Sequence, residues 1–116
     1  MKKIISIFII FLILTACSQK YETIATNRAL ELIDDGAIVI DVREIDEFNQ
    51  GHIVGAINLP LNQIDTITYD KDTTIILYCA TGVRSQEAVK KLSDMGYTNL
   101  YNLDGGLLNW GDKLEE

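Results

Sequence analysis

Short runs of apolar, β-branched residues alternate along this chain with stretches whose apolar positions recur every three or four residues. Tyr21 to Ile24, Ala37 to Val42, Ala56 to Leu59, Thr74 to Tyr78 and Asn99 to Leu103 predict five strands. Between the first two, Ala29, Leu30, Leu32 and Ile33 form an apolar stripe at helical spacing, with Thr26 placed to cap its start and Gly36 to stop it. After the fourth strand, Ala88, Val89, Leu92 and Met95 mark a second helix that begins near Ser85 and takes its left-handed end from Gly96. The run Ala37-Ile-Val-Ile40 has no polar position to turn toward water. Burial on both faces implies a parallel sheet with helices on either side, a three-layer α/β/α architecture of five strands. Chemistry in such sheets lies beyond the carboxyl ends of the strands.

The first twenty residues break this pattern. Lys2 and Lys3 precede an apolar run from Ile4 to Leu14 whose one polar member is Ser6, the layout of a signal peptide. A run of this length, rising about 1.5 Å per residue, is too short for a hydrocarbon core that takes roughly twenty residues. It ends in Leu14-Thr-Ala-Cys17, which resembles the bacterial lipobox, where cleavage precedes the cysteine and its thiol receives a diacylglycerol. The expectation is a signal peptide over residues 1–16, a lipidated Cys17 with a short tether over 17–20, and one domain over 21–116. Acyl chains inserting at about 0.8 kcal/mol per methylene would hold the protein to the membrane without spanning it. It would be exported, on the periplasmic or outer face of the cell envelope.

Charge and cysteine usage narrow the chemistry. Ten Lys and Arg against 17 Asp and Glu give a formal charge of −7, and removal of Lys2 and Lys3 takes it to −9, so no basic face exists for nucleic acid. With one histidine, His52, and lipidation occupying Cys17, neither a transition-metal site nor another cofactor is implied. Cys79 has no partner for a disulfide, and an unpaired thiol in an exported protein calls for a reason.

Its position supplies one. Cys79 follows the fourth strand and opens the loop Cys79-Ala-Thr-Gly-Val-Arg-Ser85 ahead of a helix. With no proline among them, the backbone N–H groups of Ala80, Thr81, Gly82, Val83, Arg84 and Ser85 are all free to turn inward, and Gly82 accepts a positive φ. The helix start adds its positive dipole end and Arg84 a permanent charge. All three favour thiolate over thiol, which makes Cys79 a candidate nucleophile in a partly exposed, electropositive setting. A buried cysteine serving as a small hydrophobe would suit the strand interior better than its end, beside glycine and arginine.

These residues resemble the rhodanese homology domain, a sulfurtransferase family. The likeness runs from about Tyr21 to Trp110 through Asp41-Val-Arg-Glu44, Glu47-Phe48, Gly51-His-Ile53, Gly55-Ala-Ile-Asn-Leu-Pro60, the Cys79-x-x-Gly82-x-Arg84-Ser85 loop, and Asp104-Gly-Gly106 followed by Trp110. It implies a rhodanese-like five-stranded α/β/α fold and a Cys79 persulfide that takes sulfane sulfur from a donor such as thiosulfate and passes it to cyanide or a thiol. Residues 80–85 would form the substrate-binding cradle, with Arg84 as electrostatic clamp, and the domain would act as a monomer. Cys-x5-Arg phosphatases share this fold, and with four residues between Cys79 and Arg84 the resemblance implies a ring that fits a bound sulfur rather than a phosphate. The position after the cysteine, often basic in thiosulfate-using members, is Ala80, so attraction for a dianion should be modest. A module that carries sulfur or binds a partner without turnover is the alternative.

The remaining positions read as scaffold. The resemblance implies that Asp41 and Arg43 support the site by tying loops together through buried ion pairs, with Glu47 as a possible partner, and that His52 is structural. Gly105 and Gly106 permit close backbone approach, Trp110 covers the core, and Asp34, Asp35, Asp70 and Asp72 are solvated turn residues.

Overall fold

Strand β5, Ile75–Tyr78, is buried at every position, and its side chains alternate between two separate cores. This is the signature of a central strand in a sheet covered on both faces. It is seen in a computed structural model that describes residues 21–116; the signal peptide, Cys17 and tether inferred above lie outside the described residues. The chain runs β1 (Tyr21–Ile24), α1 (Thr26–Asp34), β2 (Ile38–Asp41), α2 (Ile45–Gln50), β3 (His52–Ile53), β4 (Ile57–Asn58), a 3₁₀ turn over Leu61–Thr66, β5, α3 (Val83–Asp94), β6 (Leu100–Leu103), a 3₁₀ turn over Gly106–Asn109, and β7 (Leu114–Glu115). Five strands form one parallel sheet in the order β1-β6-β5-β2-β4, as expected for the α/β/α class.

On one face Ile40, Ile75, Leu77 and Leu100 pack with Ala88, Val89 and Leu92 of α3 and with Ile64 of the first 3₁₀ turn. On the other, Val39, Ile76, Tyr78 and Leu103 meet Ala29 and Leu32 of α1 and Trp110, which is buried as expected. Each large side chain removed from water here contributes about 1.5–3 kcal/mol, which offsets the entropy of ordering the chain.

Local structure departs from expectation in places. Thr26 does not cap α1: Ala25 is the N-cap, and the Thr26 hydroxyl donates instead to the carbonyl of Trp110 at 3.0 Å, fastening α1 to the C-terminal segment. Helix α3 starts at Val83, two residues before the expected Ser85, because Gly82 turns the chain at φ 99°. Asp34 closes α1 as its last helical residue rather than lying in a turn. Helix α2 and the antiparallel pair β3–β7 were not anticipated. A reciprocal capping box between Glu44 and Glu47 supports the start of α2.

Candidate active site

Cys79 stands at the carboxyl end of β5, between β2 and β6, where an open parallel sheet places its chemistry. The loop after it folds back on the sulfur. The Gly82 amide donates to Sγ at 3.1 Å and the Ser85 amide, in the first turn of α3, at 3.4 Å. Of the six amides expected to turn inward, these two make hydrogen bonds to the sulfur, and the Thr81 amide also acts on it. Gly82 holds a φ of 99°, a left-handed conformation that a side chain would strain, so glycine serves there for conformation.

A second backbone segment closes the loop from behind. The amides of Leu107 and Leu108 donate to the carbonyls of Cys79 and Ala80 at 2.8 and 3.1 Å. Gly106 lies so close that a Cβ would strike those same carbonyl groups, which accounts for glycine at this position. In consequence Cys79 is 1 % exposed, where a partly exposed thiol was expected. The loop wraps its own backbone around the sulfur, and Thr81 and Val83 take the exposed outer positions while Ala80 is half-buried.

Burial is the largest single influence on the Cys79 thiol and pushes its pKa up. The Ser85 hydroxyl and the amides of Ser85, Thr81 and Gly82 act against it and prevail, so the pKa lies below the ordinary thiol value. The Ser85 hydroxyl has one proton to give; it lies against Asn102 Oδ1, and turning it to the sulfur is the arrangement that favours thiolate. Asn102 sits buried on β6 and directs its amide to the Gly82 carbonyl at 3.5 Å, which positions Ser85 and the loop together. Sequence reasoning passed over Asn102; the signal was an amide side chain set between Tyr101 and Leu103 in a strand run.

Arg84 is not a free cation over the sulfur. Its Nη1 and Nη2 fork onto the Glu47 carboxylate at 2.9 and 3.1 Å, with both side chains more than a third exposed. The Arg84 hydrogen bonds, with further help from the Glu44 amide, overcome partial burial and hold the Glu47 carboxyl down at about 2. Glu47 therefore belongs to Arg84, whereas the family resemblance implied that it would join the Asp41–Arg43 pair. Asp41 and Arg43 pair with each other: Arg43 Nε and Nη2 meet the Asp41 carboxylate at 3.0 and 2.8 Å, and Nη2 also donates to the Gly51 carbonyl at 2.7 Å. This ties β2 to the end of α2. His52 stacks on Phe48 with ring centroids 3.7 Å apart, and its nitrogens contact the Phe48 carbonyl and the Glu115 carboxylate, an arrangement that ties α2 and β3 to β7. Among the described residues no cluster of three or more His, Cys, Asp or Glu is placed to hold a metal ion.

The five-stranded parallel sheet, the cysteine at the end of its middle strand and the backbone ring around the sulfur define a thiolate-cradling α/β domain. Residues 25–113 match the rhodanese-like domain, and the chain belongs to that family. Over 94 residues it is 37% identical to thiosulfate sulfurtransferase GlpE of Ectopseudomonas mendocina, covering 79% of this chain and 86% of that protein. It is 44% identical over 81 residues to the uncharacterized protein YqhL of Bacillus subtilis, 68% of this chain and 64% of YqhL's length. The crystal structure of a rhodanese-related protein from Thermoplasma volcanium superposes with a TM-score of 0.72 at 30% identity, covering 82% and 98% of the two chains.

Proposed function

We propose that this domain is a sulfurtransferase that carries sulfane sulfur as a Cys79 persulfide, and the observation that carries the reading is the pair of amides aimed at Sγ. The Cys79 thiolate attacks the outer sulfur of a donor such as thiosulfate. An Sγ–S bond forms, the donor's S–S bond breaks, and sulfite leaves with the electron pair. Cyanide or a thiolate then attacks the persulfide's outer sulfur and releases Cys79 as thiolate, so no external oxidant or reductant is needed. The persulfide's negative charge lies farther from Cβ than the thiolate's, toward the mouth of the ring, where the remaining loop amides and the α3 dipole support it. The Glu47–Arg84 pair contributes position more than net charge.

The N-terminal pattern supports a second part of the proposal: residues 1–16 are removed, Cys17 carries lipid, and the domain is displayed outside the cytoplasm on a membrane surface. No helix among the described residues is long and apolar enough to cross a membrane. The catalytic reading is tested by thiocyanate formation from thiosulfate and cyanide. Wild type should turn over and Cys79→Ser should not. A persulfide that forms but is never passed on would favour the non-catalytic carrier instead.

A further inference from the structure

Ser85 and Asn102 are buried polar side chains behind the cysteine loop, at 0% and 3% exposure. The Ser85 hydroxyl donates to Asn102 Oδ1 at 2.5 Å, and the Asn102 amide donates to the Gly82 carbonyl at 3.5 Å. That second contact sets the orientation of the amide, because turning it over would bring its oxygen against the carbonyl. Asn102 is carried to this place by β6, whose register puts it beside Leu77 of β5. The Ser85 hydroxyl has another acceptor within reach, Cys79 Sγ, where its hydrogen bond favours thiolate. With one proton, it cannot serve both.

The two acceptors compete differently as the sulfur changes state. A thiolate is a charged acceptor and draws the hydroxyl strongly, while the sulfur of a thiol, or the inner sulfur of a persulfide, is a weak one. When the Sγ–S bond forms, Sγ loses its charge to the outer sulfur, and sulfite leaves with the electron pair of the broken S–S bond. The hydroxyl is sealed from water and then has one good partner, Asn102 Oδ1. A buried hydroxyl without a partner is costly, so the loaded state depends on that oxygen.

We propose that Asn102 is a positioning residue for sulfur loading: it holds the Ser85 hydroxyl while Sγ is uncharged and yields it when the thiolate returns, which favours persulfide over free thiolate. The inference rests on the sulfurtransferase reading above. No proton leaves Ser85 Oγ in the exchange; its acceptor alone changes. The charged groups around the sulfur are already paired, Arg84 of α3 with Glu47 of α2, and Asp41 of β2 with Arg43 just beyond it. Asn102 brings no charge from β6.

The test measures, by intact mass, the fraction of full-length protein carrying sulfur across a series of thiosulfate-to-sulfite ratios, which gives the loading equilibrium. Asn102→Leu removes the acceptor and should lower that equilibrium about two- to tenfold. It should also lower the pH midpoint of Cys79 alkylation, because forming the thiolate no longer takes the hydroxyl from Asn102. A merely loosened loop would do the opposite, drawing amides away from Sγ and raising the midpoint. With Ser85→Ala there is no hydroxyl to place, so adding Asn102→Leu to that variant should change neither readout. Should Asn102→Leu fail to fold, Asn102→Ala removes the same acceptor and should move both readouts in the same directions. Asn102→Asp keeps an oxygen acceptor and should not reduce loading. The inference is overturned if removal of the acceptor leaves loading unchanged, raises the midpoint, or acts equally in the Ser85→Ala background, and also if Asn102→Asp reduces loading. Failure of wild type to take up sulfur at any ratio would instead sink the reading on which it rests.

Discussion

Replacing Glu47 by glutamine should release Arg84 and turn a neutralised loop into a cationic one. The guanidinium now spends two hydrogen bonds, at 2.9 and 3.1 Å, on that carboxylate. Glutamine keeps a carbonyl oxygen for the Glu44 amide, which Glu47 Oε1 accepts at 3.1 Å, so the start of α2 should survive. Both partners are more than a third exposed, so the stability lost is that of a screened surface pair, about 0.2–1 kcal/mol. At low ionic strength the effect on the donor is larger. Taking about 7 Å between the guanidinium and a bound dianion, one uncompensated unit charge is worth roughly 1.2 kcal/mol in a water-like dielectric, about an eightfold gain in affinity. Ionic screening at 0.15 M reduces this to roughly twofold, and a singly charged donor should gain only the square root of either factor. Steady-state KM for thiosulfate at low and moderate salt measures it. A KM that rises, or that ignores both the substitution and the salt, would refute the view that Glu47 restrains Arg84.

Three further outcomes follow from the same geometry. Asp41→Asn leaves the Arg43 charge buried without its partner and should cost about 3–5 kcal/mol in urea unfolding, far more than Glu47→Gln. Gly106→Ala forces a Cβ into the Cys79 and Ala80 carbonyls at a φ of 60°, so it should lower stability by more than about 1 kcal/mol and abolish thiocyanate formation together, read by thermal melting and turnover. Because the folded-state pKa of Cys79 is lowered, its thiolate persists below the ordinary thiol pKa of about 8.5 and is lost only as pH falls through the lowered value. The pH midpoint of Cys79 alkylation should therefore lie below that of an unperturbed cysteine thiol measured alongside. Ser85→Ala should move it upward.

The parallel sheet was legible because β2 and β5 are buried on both faces, and a strand of that kind announces itself as an unbroken apolar run. The cysteine loop was legible for a related reason: its strand, glycine and helix start are contiguous in sequence. What escaped reading was set by contacts between distant residues. Glu47 and Arg84 are 37 residues apart, and nothing local to either assigns their pairing. Thr26 has the chemistry of a cap, yet a carbonyl 84 residues away takes its hydroxyl. Helix α2 has six residues, too few to display a period, and the two-residue strands β3 and β7 carry no alternation at all. The burial of Cys79 depends on Gly106 arriving from beyond β6, which the loop's own sequence does not record.

The measurement that bears most directly on the central claim is the intact mass of the full-length protein after exposure to thiosulfate and again after cyanide. Wild type should gain the mass of one sulfur atom and lose it to cyanide, while Cys79→Ser should stay unchanged throughout. Equal sulfur uptake by the Cys79→Ser variant, or none by wild type under conditions that leave Cys79 reduced, would contradict the account.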